Sequence, residues 1–374
     1  MQPYKIQEVQ TKRDLKKFVD LPWQLHKTDP KWVPPIYMDE FDYFNSKKNP
    51  QWNDFDNILL LCYDSRKTIC GRIMGLIAKN EPEVLRFSLL ECKNEDEFIA
   101  NSLIDALMTW GKGRGLKEII GPLALSDKDP QGYIIQGFEH TPVIATNYNT
   151  PDRIALLYSL GFEKKIDLFV YRLNVQNKLP ELYHQIIQRV HRNNSELRLL
   201  KLKSRWQLKK WIVPVFKLVN LTFTEIYAFS PLSEKEMKSL SFKYLPVLNP
   251  KFLKIIVNNE NEVIAFVLAM PNMTEGLRRS KGKMLPFGIF KVWHSQRKTK
   301  QLDMLLGAVH PKYQNRGLDA VLAKALFSEA KKAGFEFIDS HLELETNTKM
   351  HAENEKLGGQ KYKTYRIFRR SISN

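Results

Sequence analysis

Short apolar runs alternate with turn-rich breaks along the first third of the chain, and their spacing predicts strands before helices. Asn57 to Tyr63 and Thr68 to Ala78 read as two strands joined by Asp64-Ser-Arg-Lys67, a hairpin. Glu83 to Cys92 is a third strand, Asn94 to Arg114 a helix, and Lys117 to Gly121 a further strand. Ahead of them lie a short strand, Tyr4 to Val9, and a helix from Thr11, where Thr11 and Asp14 are spaced to close a capping arrangement. The stretch Phe18 to Pro35 contains Pro22, Pro30, Pro34 and Pro35, which predicts a segment wrapped over the surface instead of one long helix.

The second half repeats this order. A strand over Arg198 to Leu202 leads into a helical region from Ser204, with more helix over Ser233 to Tyr244 and Pro250 to Val257. The hairpin pattern from Ile255 to Ala269 matches Leu59 to Ala78 in layout, so an internal duplication is the simplest account. Leu182, Ile186, Ile187 and Val190 have helical spacing between the halves. The expected organisation is a first domain over 1–175, a linker helix over 176–196 and a second domain over 197–374.

Composition adds limits. The 374 residues suffice for two domains, and 43% hydrophobic with 26% charged residues is an ordinary globular balance. The N-terminus lacks an apolar h-region, and the most apolar window, Trp211 to Phe223, is interrupted by Pro214 and Lys217. Cys62, Cys70 and Cys92 show no C-x-x-C spacing and read as reduced thiols of a cytoplasmic protein; the scattered histidines predict no metal site. The net charge of +17 favours a polyanionic partner without choosing among nucleic acid, an anionic membrane and a phosphorylated cofactor.

Gln314-Asn-Arg-Gly-Leu-Asp319 narrows that choice. It lies between the apolar run Leu302 to Val309 and an Ala/Leu/Lys-rich helical stretch from Leu318. A helix N-terminus offers unpaired N–H groups and partial positive charge, and glycine lets the backbone approach a phosphate closely. With Met304 to Pro311 before it, and Leu342 to Asn347 and Glu355-Lys-Leu-Gly-Gly359 after it, the segment resembles the core of the GNAT-type acyl-CoA N-acyltransferases.

The resemblance implies an α/β fold of two tandem GNAT-like domains, each a mostly antiparallel twisted sheet flanked by helices. The family pattern Q/R-x-x-G-x-G/A binds the pyrophosphate of coenzyme A. Gln314, Arg316 and Gly317 match it, with Asn315 and Leu318 between and after them, and acetyl-CoA or another acyl-CoA is the implied co-substrate. Asp319 departs from the pattern and is expected to cap the helix that begins here. In the first half, the matching junction Glu91 to Phe98 is acidic and would repel a pyrophosphate, so that domain is expected to keep the fold without the usual cofactor binding. Its own Pro151 to Phe162 and Asp167 to Arg172 resemble the closing helix and strand of such a domain.

The implied reaction is direct attack of an amine on the thioester. Backbone N–H groups of Ala308 and Val309, where the fourth strand splays, would contact the carbonyl. The family's tyrosine acid falls here at Asn354, which leaves Tyr362 and Tyr365 as substitutes. His341, Glu343 and Glu345 alternate along an expected fifth strand, with Glu345 ranked first as base and Asn347 at the exit, where it would bind a backbone group or the pantetheine arm. Glu225 is a further candidate base on the acceptor side.

Three rivals accompany this reading. One is a non-catalytic acyl-CoA binder. A second is peripheral membrane contact through Leu197 to Val219, where Trp206 and Trp211 mix with lysines and arginines. The third is nucleic-acid binding around Arg278 to Lys300, with Phe290 and Trp293 as stacking residues, although no nucleic-acid module signature is present. Met284 to Phe290 would line a long acyl pocket or form a buried strand or loop. The acceptor is a small-molecule or peptide amine, and the state a monomer or homodimer.

Overall fold

The computed structural model describes residues 4–143, 145–224, 229–245 and 248–372. The first half runs β1 (Lys5–Glu8), α1 (Lys12–Leu25), α2 (Tyr37–Tyr43), β2 (Phe55–Tyr63), β3 (Ile69–Ala78), β4 (Glu81–Cys92), α3 (Glu97–Gly111), β5 (Glu118–Gly121), β6 (Tyr133–Gln136), α4 (Pro151–Ser159) and β7 (Glu163–Asn174). The second runs α5 (Glu181–Asn193), β8 (Arg198–Leu199), α6 (Arg205–Thr222), α7 (Glu234–Tyr244), β9 (Leu253–Val257), β10 (Val263–Pro271), α8 (Thr274–Ser280), α9 (Gly288–Lys298), β11 (Gln301–Val309), α10 (Leu318–Lys332), β12 (Phe337–Asp339), β13 (Glu343–Leu344), α11 (Thr348–Lys356) and β14 (Gln360–Ser371). Apart from the leading α5 and the α8–α9 insertion between β10 and β11, both halves follow one order, strand, two helices, three strands, helix, two strands, helix, strand.

The compact units do not follow the halves. Unit 1 comprises 1–169, 273–295 and 363–374; unit 2 comprises 170–272 and 296–362. Each half thus surrenders the end of its closing strand to the other unit. The sequence pattern could mark where strands begin and end but carried no trace of this exchange, so the expected boundaries at 175 and 197 differ from the observed ones. The helix expected to link the domains is α5, and it belongs to unit 2, where Tyr183, Ile187 and Val190 are buried in the core.

In unit 1 the strands lie in the order β1-β2-β3-β4-β5, with residues 368–371 of β14 antiparallel to β5. Alternation along β2 sends Ile58, Leu60 and Cys62 to the α3 side, while Leu59, Leu61 and Tyr63 pack with Phe18 of α1. Helices thus cover both faces, and the strands are buried on both. The three cysteines are buried and free. Unit 2 repeats the scheme with residues 172–174 of β7, then β12, β11, β10, β9 and β8. Ile256 faces α5 and α10, whereas Ile255 and Val257 face α6.

Two prolines lie inside helices, Pro22 in α1 and Pro214 in α6. A proline removes one helical hydrogen bond, and in α6 the burial of Leu208, Trp211, Ile212, Val215, Leu218 and Val219 carries the helix through it. That same burial occupies the apolar side of the segment considered for membrane contact. Pro250 to Val257, expected as helix, forms one short turn, Pro250–Phe252, and then β9, because Leu253 to Val257 is an edge-to-edge partner of β10.

One buried ion pair fixes the middle of the unit 2 sheet. Asp339 on β12 is 2% exposed and receives Arg172 of β7 through Nε at 2.8 Å and Nη2 at 2.9 Å. Arg172 also donates to Gln301 at 3.0 Å and stacks over the Tyr362 ring, 4.3 Å from its centroid. Removing one member of such a pair leaves the other buried and uncompensated. Arg172→Met should therefore destabilise unit 2 by on the order of 3 kcal/mol, read as a shift of its urea unfolding transition, and Asp339→Asn in the same background should recover part of the loss.

Candidate functional site

The site begins where two parallel strands part. β11 pairs with β12 only at Gln301 to Asp303, opposite Phe337 to Asp339, yet β11 continues to Val309. A bulge between Leu268 and Ala269 of β10 skips Leu305 on β11, and bulges bend a strand and increase its twist. Met304 to Val309 consequently have a neighbour strand on one side only.

Alternation decides which backbone groups face the gap. The N–H of His310 donates to Ile264 of β10 at 2.8 Å, and Ala308 lies opposite Phe266. Donors alternate sides along a strand, so Ala308 turns its N–H toward β10 as His310 does, while Gly307 and Val309 turn theirs into the gap. Of the two donors named from sequence, Val309 is therefore presented to the gap and Ala308 is engaged in the ladder; Gly307 joins Val309.

The turn that follows leads directly into α10. Pro311–Tyr313 forms one short helical turn, Asn315 has φ 61°, and Gly317 has φ 80° as the N-cap residue of α10. Gly317 has no side chain to offer the first-turn N–H groups, so these donors point out of an uncapped helix end. Gln314, Asn315 and Arg316 are exposed, and Leu318 is buried beneath them. Gln314 reaches back to the Val309 carbonyl at 3.4 Å, and the Arg316 guanidinium lies 4.8 Å from the Tyr313 ring centroid. A pyrophosphate is matched by such donors and by the exposed Lys312 and Arg316 cations.

Gly317 has a second constraint that the sequence did not disclose. A Cβ there would lie 2.3 Å from Cγ2 of Ile186 on α5, so the glycine is needed for helix packing as well as for its backbone angle. Asp319, expected to cap α10, instead occupies its first turn, because Gly317 takes the cap position. It lies near enough to Tyr183 to help raise that hydroxyl's pKa, after burial and the hydrogen bond from Tyr183 to Glu353.

On the far side of the gap the expected fifth strand is broken. β12 ends at Asp339 and β13 holds only Glu343 and Leu344, with Glu345 in a turn, so His341, Glu343 and Glu345 do not share one continuous strand face. Asn347 caps α11, accepting from the Met350 N–H at 3.3 Å. Glu225 lies outside the described residues. Tyr362 donates its hydroxyl to Asp339 and receives Arg172 at 3.2 Å, which makes it part of the ion pair that anchors β12. Tyr365 is wholly buried and belongs to unit 1, where burial pushes its hydroxyl up to about 12 against the lowering effect of Thr146.

A polar cluster missed from the sequence surrounds Asn354. This residue is 2% exposed, and its amide donates to both carboxylate oxygens of Glu343 at 2.9 Å. His351 lies 3.5 Å from the same carboxylate through Nδ1, and its Nε2 contacts the Leu344 carbonyl at 2.9 Å. Burial raises the Glu343 pKa, and the Asn354, Ser340 and His351 contacts oppose it. Burial alone lowers the pKa of His341, two residues beyond the last paired residue of β12. Its imidazole is therefore neutral at neutral pH and able to accept a proton.

Unit 1 contains the same parting of strands with different contents. β4 pairs with β5 only from Val84 to Arg86 and then continues to Cys92. Arg153 of α4 fills the region beyond, donating to the Leu90 carbonyl and pairing with Glu95 at 2.9 Å and Glu91 at 3.5 Å. Tyr133 donates to the same Leu90 carbonyl at 3.3 Å, and His26 contacts Glu91 at 3.1 Å. α3 is capped by Asp96, whose side chain accepts from the Ile99 N–H at 3.1 Å. A helix end capped by a carboxylate, beside two more carboxylates, presents negative charge where α10 presents a bare glycine.

These geometries define a tandem GNAT-fold protein. The chain is similar to a tandem GNAT protein from the clavulanic acid biosynthesis pathway, at TM-score 0.54 and 12% identity over 99% of this chain and 100% of that one. It is also similar to a glucosamine N-acetyltransferase region of a fungal multi-domain β-N-acetylglucosaminidase, at TM-score 0.51 and 11% identity over 98% of this chain and 38% of that one. Among curated proteins, the "Bacterial ceramide synthase" of Caulobacter vibrioides (strain NA1000 / CB15N) is 27% identical over 97% of this chain and 96% of its own length. "Protein YghO" of Escherichia coli (strain K12) is 25% identical over 96% of this chain and 94% of its own length. No family model matches the chain.

The filled parting in unit 1 carries a pH signature. Burial disfavours the Glu91 carboxylate, but the His26 hydrogen bond and the charges of His26, Arg153 and Arg72 outweigh it and hold the group at about 2, below its ordinary 4.5. Because the folded value is depressed, this stabilisation is present above about pH 4.5 and is lost as pH falls toward 2. Glu91→Gln should lower stability at neutral pH and flatten the stability profile across that window, measured by denaturant unfolding at stepped pH.

Proposed function

We propose that the chain is an acyl-CoA-dependent N-acyltransferase whose donor site is the strand gap and turn of unit 2. The observation that carries this reading is the continuity of open strand edge, positive-φ turn and uncapped helix end from Gly307 to Leu318. A thioester carbonyl in the gap would accept from the Val309 and Gly307 N–H groups, and a pyrophosphate would accept from the first turn of α10, with Lys312 and Arg316 supplying positive charge.

His341 is the candidate base in place of Glu345. The amine nitrogen forms a bond to the acyl carbon, the carbon–sulfur bond breaks, and the proton lost by the amine passes to the neutral imidazole. The thiolate leaves with the cofactor. Asn354 stands where a tyrosine acid was expected, and its amide holds Glu343 in place; no tyrosine acid is required in this scheme. The relative named for ceramide synthesis, matched along nearly its whole length, supports an acceptor amine on a lipid-like molecule.

Two measurements test the reading. Palmitoyl-CoA or acetyl-CoA should raise the melting temperature by mass action, and Arg316→Glu should abolish the rise; Arg316 is exposed, so its loss spares the packing that makes Gly317 unsuitable for substitution. No rise with either ester would sink the proposal. His341→Gln should slow release of free CoA thiol by roughly 10²–10⁴-fold while keeping the melting shift. In the wild type the acid limb of the rate profile should fall below pH 6.5, since burial lowers that imidazole. A melting shift without thiol release across amine acceptors would favour the non-catalytic binder.

A further inference from the structure

The insertion between β10 and β11 leaves large apolar side chains in solvent. Leu285 is 79% exposed, Phe287 71%, Phe290 62%, Trp293 48% and Ile289 41%. Within α9, residues 289, 290 and 293 share one face, while Gly288 and Val292 are the buried positions. The helix therefore has an inward face that packs and a separate outward face whose apolar side chains are exposed. Of the alternatives for Met284 to Phe290, an acyl-pocket wall or a buried strand or loop, the structure has a loop at residues 284–287 before α9, and most of the stretch is exposed.

The insertion is held by close contacts at its base. Gly276 of α8 lies so close to α9 that a Cβ would meet the Val292 Cα at 2.4 Å, and Gly282 approaches the Pro35 carbonyl so that a Cβ would lie at 2.1 Å. Trp23 donates to the Lys281 carbonyl at 2.8 Å, and the Tyr37 N–H donates to the Gly282 carbonyl at 2.9 Å. The proline-rich N-terminal segment, whose Trp23 packs edge-on against Trp32 and Tyr37, thereby fixes the insertion to unit 1.

Charge identifies what the insertion meets. Lys281, Lys283 and Lys291 are exposed around the apolar residues, Arg279 is exposed and pairs with Glu275 at 2.7 Å, and no acidic residue occurs from 276 to 300. Interfacial aromatic and aliphatic side chains ringed by lysines match an anionic bilayer surface, where apolar groups enter the headgroup boundary and cations meet phosphate. No helix among the described residues is long and apolar enough to cross a membrane, so contact would be from one side. We infer that residues 279–293 form a docking surface for an anionic lipid bilayer. This inference does not depend on the acyl-transfer reading.

The test is co-sedimentation of the full chain with vesicles of equal parts phosphatidylglycerol and phosphatidylcholine, beside vesicles of phosphatidylcholine alone. The wild type should bind the anionic vesicles, and the triple variant Leu285→Ser, Phe287→Ser, Phe290→Ser should bind at least about tenfold more weakly with an unchanged melting temperature. Lys281→Glu with Lys283→Glu should remove the preference for the anionic vesicles. Equal sedimentation of wild type and triple variant would overturn the inference, as would binding to single-stranded RNA but to neither vesicle. A wild-type dimer that the triple variant converts to monomer would instead assign the patch to a second copy of the chain.

Discussion

An open strand edge inside a sheet must be satisfied by something, because buried backbone donors and acceptors left alone cost about as much as a lost hydrogen bond. Both units part a parallel strand pair after three residues, and this constraint governs what each unit then does. In unit 1, Arg153 and Tyr133 occupy the Leu90 carbonyl, and three acidic side chains crowd the start of α3. In unit 2, among the contacts described above, the Val309 carbonyl meets only the Gln314 amide, at 3.4 Å, and no arginine fills the gap; the helix beyond it begins on a bare glycine. The fold is repeated, and the difference in chemistry comes from what fills one gap.

Supporting residues act on that gap from a distance. Arg172 and Tyr362 hold Asp339, the last paired residue of β12, so the point at which the strands separate is set by a buried ion pair. Asn354 holds Glu343 beyond it, and Ile186 of α5 presses against Gly317 at the opposite end. Tyr362, expected as a substitute acid, and Asn354, which stands at the family's acid position, are here engaged in holding neighbours.

Much of the fold was legible because local signals agreed with it. The hairpin β2–β3 and the helix α3 carry strong periodicity, and Thr11 caps its helix as its sequence context implies. The loop from Gln314 to Gly317 was legible because glycine and its neighbours are required locally. What was hidden depends on long-range partners. Nothing near Pro214 says that burial will carry a helix through it, nothing in the run from His341 to Glu345 says that the strand breaks after Asp339, and the role of Arg172 appears only once β7 and β12 are adjacent. The exposure of Phe287 and Phe290 was equally invisible, since an apolar run reads the same whether it faces a core or solvent.

The exchange of closing strands has a temporal meaning. Residues 1–169 emerge first during synthesis, but the edge of β5 in that unit is completed only by residues 368–371. The early sheet must therefore wait through the synthesis of nearly the whole of unit 2 with a pairing edge exposed, and such edges invite association with other chains. Folding order in this protein is thus tied to chain order: the half made first is the half finished last.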